Sequence, residues 1–107
     1  LQLIEKALKQ NPMDGNIIDS LGWVYYRLGK YQTAIKHLKR AVELKSNHPV
    51  ILNHLGDAYA KQGEIDKAIQ YWKKALEYGP EYPLEYNPKM EADLQQKIQE
   101  GENQLKP

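Results

Sequence analysis

Residues 15–48 read GNIIDSLGWVYYRLGKYQTAIKHLKRAVELKSNH, and residues 49–82 read PVILNHLGDAYAKQGEIDKAIQYWKKALEYGPEY. Set one above the other without a gap, ten of the 34 pairs are identical. Ile17, Leu21, Gly22, Tyr25, Gly29, Ala34, Ile35, Lys39, Ala41 and Glu43 return as Ile51, Leu55, Gly56, Tyr59, Gly63, Ala68, Ile69, Lys73, Ala75 and Glu77. A fixed period of this length is the mark of stacked copies of one supersecondary unit, each burying its apolar side against the next.

Within each copy the apolar residues fall at helical spacing. Ile18, Leu21, Gly22 and Tyr25 lie at i, i+3, i+4 and i+7, one face of a helix. Gly29 ends it. Tyr31, Ala34, Ile35, Leu38, Ala41 and Val42 form the inner face of a second helix, which runs to about Lys45. Ser46, Asn47 and Pro49 mark the next boundary, and Pro49 suits a first helical position, where its missing N–H is no loss. The second copy follows the same grammar: Leu52, Leu55, Gly56 and Tyr59, then Gly63, then Ile65, Ala68, Ile69, Trp72, Ala75 and Leu76. Gly22, Gly56, Ala34 and Ala68 are small where helix axes must approach to about 8–10 Å.

The ends depart from the period. Residues 1–12 align with the second helix of a preceding unit whose first helix is missing, and the chain opens inside that helix without Met. The expectation is a segment of a longer array. Leu1, Ile4 and Leu8 would then form an uncovered apolar stripe able to pair two chains. After Pro80 the period fades into EYPLEYNP. Pro83 and Pro88 predict an extended link, because a residue before proline avoids the helical region. Asn87 can cap a last helix of about residues 88–104, with Met90, Leu94, Ile98 and Leu105 as a thin apolar stripe. A final helix that is polar on one side closes a stack of repeats. The organisation expected is a truncated repeat at 1–12, full repeats at 15–48 and 49–82, and a linker with a closing helix at 83–107.

Composition narrows the function classes. Fifteen Lys and Arg against 14 Asp and Glu leave a net charge of +1, which argues against a strongly basic grip on nucleic acid. No apolar run approaches a membrane span. The chain has no cysteine, so disulfides and thiolate metal sites are ruled out. His37, His48 and His54 show no metal-binding spacing, and no nucleophile elbow or phosphate-cradling glycine loop is present. No cofactor, metal or catalytic chemistry is expected of this segment.

These residues resemble the tetratricopeptide repeat (TPR) family, which has a 34-residue helix–turn–helix unit. The resemblance rests on Leu21-Gly22, Tyr25, Ala34 and Ala41, then on Leu55-Gly56, Tyr59, Ala68, Trp72, Ala75 and Pro80. The departures are Ile18 and Leu52 where the family often has Trp, Leu38 for an aromatic residue and Ser46 for Pro. The resemblance implies an all-α, right-handed α-solenoid of antiparallel helix pairs with a C-terminal capping helix. It implies a protein–protein interaction scaffold, in which the first helices line a concave groove. The wording of the repeats is also similar to the C-terminal repeats of long bacterial TPR proteins. Some of those work in the cell envelope, so the cytoplasm and the periplasmic side both stay open.

The helical wheel then names a groove. If Ile18, Leu21, Gly22 and Tyr25 face inward, Asn16, Asp19, Trp23 and Tyr26 form the opposite stripe, matched in the next copy by Val50, Asn53, Asp57 and Ala60. Arg27, His54 and Lys61 flank it. Trp23 and Tyr26 offer the amphipathic area common at interface hot spots. Asn53 can hold a peptide backbone through donor and acceptor. Asp19 and Asp57 would favour a basic or amide-rich segment, extended or helical. Trp23 can instead pack on the neighbouring first helix, and Asp19 can complement the first turn of its own.

Two other classes compete. The resemblance extends weakly to pentatricopeptide arrays, which read one RNA base per repeat and place reading residues where Asp19 and Asn53 stand. The Leu-Gly and Tyr signature and the small net charge oppose that reading. Homo-oligomerisation through the N-terminal stripe is the second. The binding of chaperone C-terminal carboxylates, known in the TPR family, is not expected. The matching positions hold Asp19 and Trp23, then His54, then Leu84 and Pro88, none of which suits a carboxylate.

Overall fold

The computed structural model describes residues 1–107 and is all helical. Six α-helices follow in order: α1 (Gln2–Gln10), α2 (Gly15–Arg27), α3 (Tyr31–Leu44), α4 (Pro49–Lys61), α5 (Ile65–Tyr78) and α6 (Pro88–Leu105). A single 3₁₀ turn, Gly79–Glu81, follows α5. The chain stacks as α2/α3 and α4/α5 hairpins, with α3 against α4 and α6 against α5. Its extents are 46 × 30 × 20 Å.

Local chemistry accounts for the helix ends. Asp14 caps α2, its Oδ1 accepting from Asn16 N at 2.9 Å and Ile17 N at 3.2 Å. Asn87 caps α6 by accepting from Met90 N at 2.8 Å. Gly29 and Gly63 close α2 and α4 at φ of +79° and +84°. In each case the next amide reaches back five residues: Lys30 N to Tyr25 O at 2.9 Å and Glu64 N to Tyr59 O at 3.0 Å. That bond requires a left-handed residue, and glycine adopts it without a Cβ clash.

The repeated small residues set the hairpin spacing. A Cβ on Gly22 would stand 2.8 Å from Leu38 Cγ and 3.3 Å from the Ala34 carbonyl oxygen. One on Gly56 would stand 2.5 Å from the Trp72 indole and 3.2 Å from the Ala68 carbonyl oxygen. Ala34 and Ala68 are fully buried opposite them. Each hairpin also stacks an α2-type Tyr on an α3-type ring: Tyr25 on His37 and Tyr59 on Tyr71, with centroids 5.5 and 5.6 Å apart.

The main core joins α3, α4, α5 and α6 through Leu38, Leu52, Leu55, Trp72, Leu94 and Ile98. Ile18, Ala41 and Ile51 form a smaller cluster toward the N-terminus. Truncating a fully buried leucine such as Leu55 to Ala costs about 2–5 kcal/mol in such settings. By contrast, α1 buries no residue. Ile4 and Leu8 are half-buried, and Leu1 and Leu3 are 48% and 83% exposed.

Several sequence expectations are corrected at the C-terminal end. The link after Pro80 is a compact turn, closed by Tyr86 N to Tyr82 O at 2.8 Å, where an extended link was expected. Proline bars Tyr82 from helix but is well suited to the second position of a turn. Tyr82 packs its ring on His48, and Tyr86 lays its ring against Gly79, so aromatic packing folds the link back. On α6, Leu94 and Ile98 are buried as expected, but Leu105 is 55% exposed. Gly101 takes the next buried position, against Ile65 and Ile69. His48, just before α4, is buried.

Candidate functional site

Alternate helices α2, α4 and α6 share one face, and the stripe expected from the helical wheel lies on it. Trp23 is the centre of an aromatic stack. Its ring lies 4.3 Å from Tyr26 at 7° and 4.0 Å from His54 at 19°, one on α2 and one on α4. Tyr31 meets Tyr26 edge-on at 5.5 Å. Both stacking partners hold Trp23 in place, and its Nε1 makes no hydrogen bond yet is not sealed from solvent. Burial, followed by the nearby Asp57 carboxylate, pushes the Tyr26 hydroxyl up from its ordinary pKa. At neutral pH it is therefore a neutral donor.

The acidic and amide groups on this face are engaged from within. Asp19 Oδ1 lies 2.9 Å from His54 Nδ1. A carboxylate only accepts, so Nδ1 carries the proton in this contact. Asp57 Oδ1 accepts from Trp72 Nε1 at 3.1 Å and from Lys97 Nζ at 2.8 Å. Asn53 Oδ1 accepts from Lys97 Nζ at 2.6 Å. The same ammonium stands 5.2 Å from the centre of the Trp72 indole. Successive inner helices are thus braced by one device: an acceptor on one helix and a nitrogen donor on the next, Asp19 with His54 and then Asn53 and Asp57 with Lys97.

Beside the stack a cleft of about 450 Å³ opens between α2, α4 and α6. Tyr26, Ala60, Ile65 and Trp72 supply its apolar and aromatic lining, and Asp57, Lys61, Lys97 and Glu100 its charged groups. Glu100 Oε1 accepts from Gln96 Nε2 at 3.0 Å. Arg27 and Lys61 occupy equivalent positions in the two repeats, are exposed and carry no ion pair. Asn16, at the open end of α2, is exposed.

The structure therefore brings Asp19, Trp23, Tyr26 and His54 together, and joins Asn53 and Asp57 to a residue that the sequence reading missed. Lys97 was hidden because α6 departs from the 34-residue register. Extending that register places Leu84 and Pro88 on the groove. Leu84 instead sits in the turn, 94% exposed, and α6 begins only at Pro88. A lysine nine residues into a polar helix carries no signal of its own.

Paired antiparallel helices stacked with one shared inner face define a helical-repeat solenoid. Two family models match the chain, one described as TPR repeat over residues 22–63 and one as tetratricopeptide repeat over residues 49–82. Together they cover residues 22–82, more than half of its length, and the chain belongs to the TPR family. A TPR repeat-containing protein of Pseudomonas aeruginosa is 45% identical over 49 residues, which is 46% of this chain and 8% of that protein. Among solved structures, PcrH in complex with the chaperone-binding region of PopD has a TM-score of 0.88 at 15% identity, covering 98% of this chain and 77% of that one. A thermophilic TPR protein of Thermus thermophilus has a TM-score of 0.75 at 27% identity, covering 94% and 46%.

Proposed function

We propose that the face shared by α2, α4 and α6 holds a segment of a partner protein, and that the domain serves as an interaction scaffold. The Trp23–Tyr26–His54 stack carries this reading. It places a rigid aromatic group with a free indole N–H beside a cleft large enough for a side chain. Rigid aromatic groups next to a pocket are the usual centre of binding energy at protein interfaces. The fold supports the same reading, since PcrH, which shares it, was solved with a region of another protein bound.

Selection of short peptides from a random linear library on the folded domain tests the proposal. Trp23→Ala and Tyr26→Ala should each weaken the selected peptides by about 2 kcal/mol, roughly thirtyfold. Peptides that bind the double variant as well as the parent domain would place the binding face elsewhere.

A further inference from the structure

His48 stands at the N-cap of α4, yet its side chain caps nothing. The imidazole is 8% exposed, and its Nδ1 is sealed from solvent without a hydrogen-bond partner. A polar atom left so is uncommon, because it has given up its bond to water and gained none. Tyr82 helps to seal it, with ring centroids 4.9 Å apart and a tilt of 52°. The Tyr82 hydroxyl donates to Ser46 O at 3.4 Å, a long bond. This one side chain ties the link between α5 and α6 to the start of α4. Residues 80, 81 and 83–85 are exposed, and Tyr86 packs back on Gly79 within the link itself.

We propose that His48 and Tyr82 form a proton-operated latch: a neutral imidazole holds the 79–87 link against the start of α4, and a protonated one releases it. Three features oppose a charged imidazole in the closed arrangement. Both nitrogens of the charged ring must donate, and Nδ1 has no acceptor. The ring stands at the N-terminus of a helix, the positive end of its dipole. Burial, then Lys45 at the end of α3, hold its pKa below the ordinary value, and His54 on α4 acts in the same sense. Glu85 in the link and Asp19 on α2 pull the other way without offsetting them. The ring therefore takes a proton more readily once it reaches water. Lifting the link is the least costly route, since it gives up one half-buried tyrosine and one long hydrogen bond. Moving α4 would uncover Ile51, Leu52 and Leu55 instead. On α6, Leu94 and Ile98 stay buried, so the opening is confined to the link. The closed form binds the proton less readily than the open one. Closure is therefore complete above about pH 6.5 and weakens as pH falls below it.

The test follows the Tyr82 ring and the His48 imidazole of the full chain by NMR between about pH 7.5 and 5. The Tyr82 ring signals should move toward those of an exposed tyrosine, with the same midpoint as the His48 imidazole and below about pH 6.5. The Leu55 and Leu94 amides should stay in place. Tyr82→Ala removes the seal at a half-buried position outside the core and should raise the His48 midpoint toward about 6.5. His48→Phe keeps a ring in the site and should hold the Tyr82 signals constant across the range. The latch is overturned by Tyr82 signals that stay still while His48 titrates, or that move alike in His48→Phe. A His48 midpoint unchanged by Tyr82→Ala overturns it too, and that variant carries the test alone if His48→Phe does not fold. Loss of the Leu55 and Leu94 amides in the same step would make the transition a global unfolding and equally overturn the latch.

Discussion

Lys97 Nζ on α6 lies 2.8 Å from Asp57 Oδ1 on α4, so the last helix is tied directly to the inner face of the second repeat. The two side chains are 28% and 21% exposed, which places the pair between a surface ion pair and a buried one. Lys97→Met keeps the stem and removes the ammonium. It should cost about 1 kcal/mol in urea unfolding, the scale of a hydrogen bond to a charged group discounted for solvent access. A double-mutant cycle with Asp57→Asn should return a coupling of about 0.5–1 kcal/mol. Additive single effects would mean that the contact contributes nothing.

The glycines separate two kinds of constraint. At Gly56 a methyl would meet a Trp72 indole that is pinned by its bond to Asp57. At Gly22 it would meet the more yielding Leu38 side chain. Gly56→Ala should therefore destabilise by about 1–3 kcal/mol and Gly22→Ala by less, despite the helix propensity of alanine. Around Gly63 a Cβ would find open space, so Gly63→Ala carries only the backbone cost of a positive φ, about 1–2 kcal/mol. Gly63→Asn should recover part of that. Thermal midpoints of the four variants check the order.

His48 sets a pH dependence. Burial first, then Lys45, hold its pKa below the ordinary value, against the opposite pull of Glu85 and Asp19. Its Nδ1 has no hydrogen-bond partner. A proton binds the unfolded chain more readily than the folded one, so stability rises with pH through this range. The contribution is complete above about pH 6.5 and is lost as pH falls below it toward the folded value. His37 has the same sign, through burial and then Lys36. His48→Phe keeps a ring against Tyr82, and it should flatten the fall in urea midpoint between about pH 7.5 and 5.5. An unaltered slope would assign the acid sensitivity to other groups.

Because α1 buries no residue, its amides should exchange fastest among the helices. Hydrogen exchange should find the slowest amides in α4 and α5, which hold Leu52, Leu55 and Trp72. Strong protection in α1 would mean that its half-buried Ile4 and Leu8 anchor it more firmly than their burial implies.

The repeat made the hairpins legible, because Gly22 and Gly56 answer to the same physical need at the same spacing. Where the period stops, so does the reading. The Tyr82–Tyr86 turn depends on the packing of Tyr82 against the distant His48 and of Tyr86 against Gly79, contacts that the repeat pattern does not encode. The wheel put Asp19, Asn53 and Asp57 on one stripe but could not show that His54, Trp72 and Lys97 engage them. A helical wheel gives direction, while a hydrogen bond needs a partner whose position only the assembled stack determines.

The two tryptophans supply the most direct measurement. Trp72 Nε1 donates to Asp57, whereas Trp23 Nε1 is free on the face assigned to the partner. A ¹⁵N-labelled domain titrated with a selected peptide should shift the Trp23 indole resonance strongly, together with backbone amides of α2, α4 and α6. A static Trp23 indole, with shifts gathered on α3 and α5, would contradict the account.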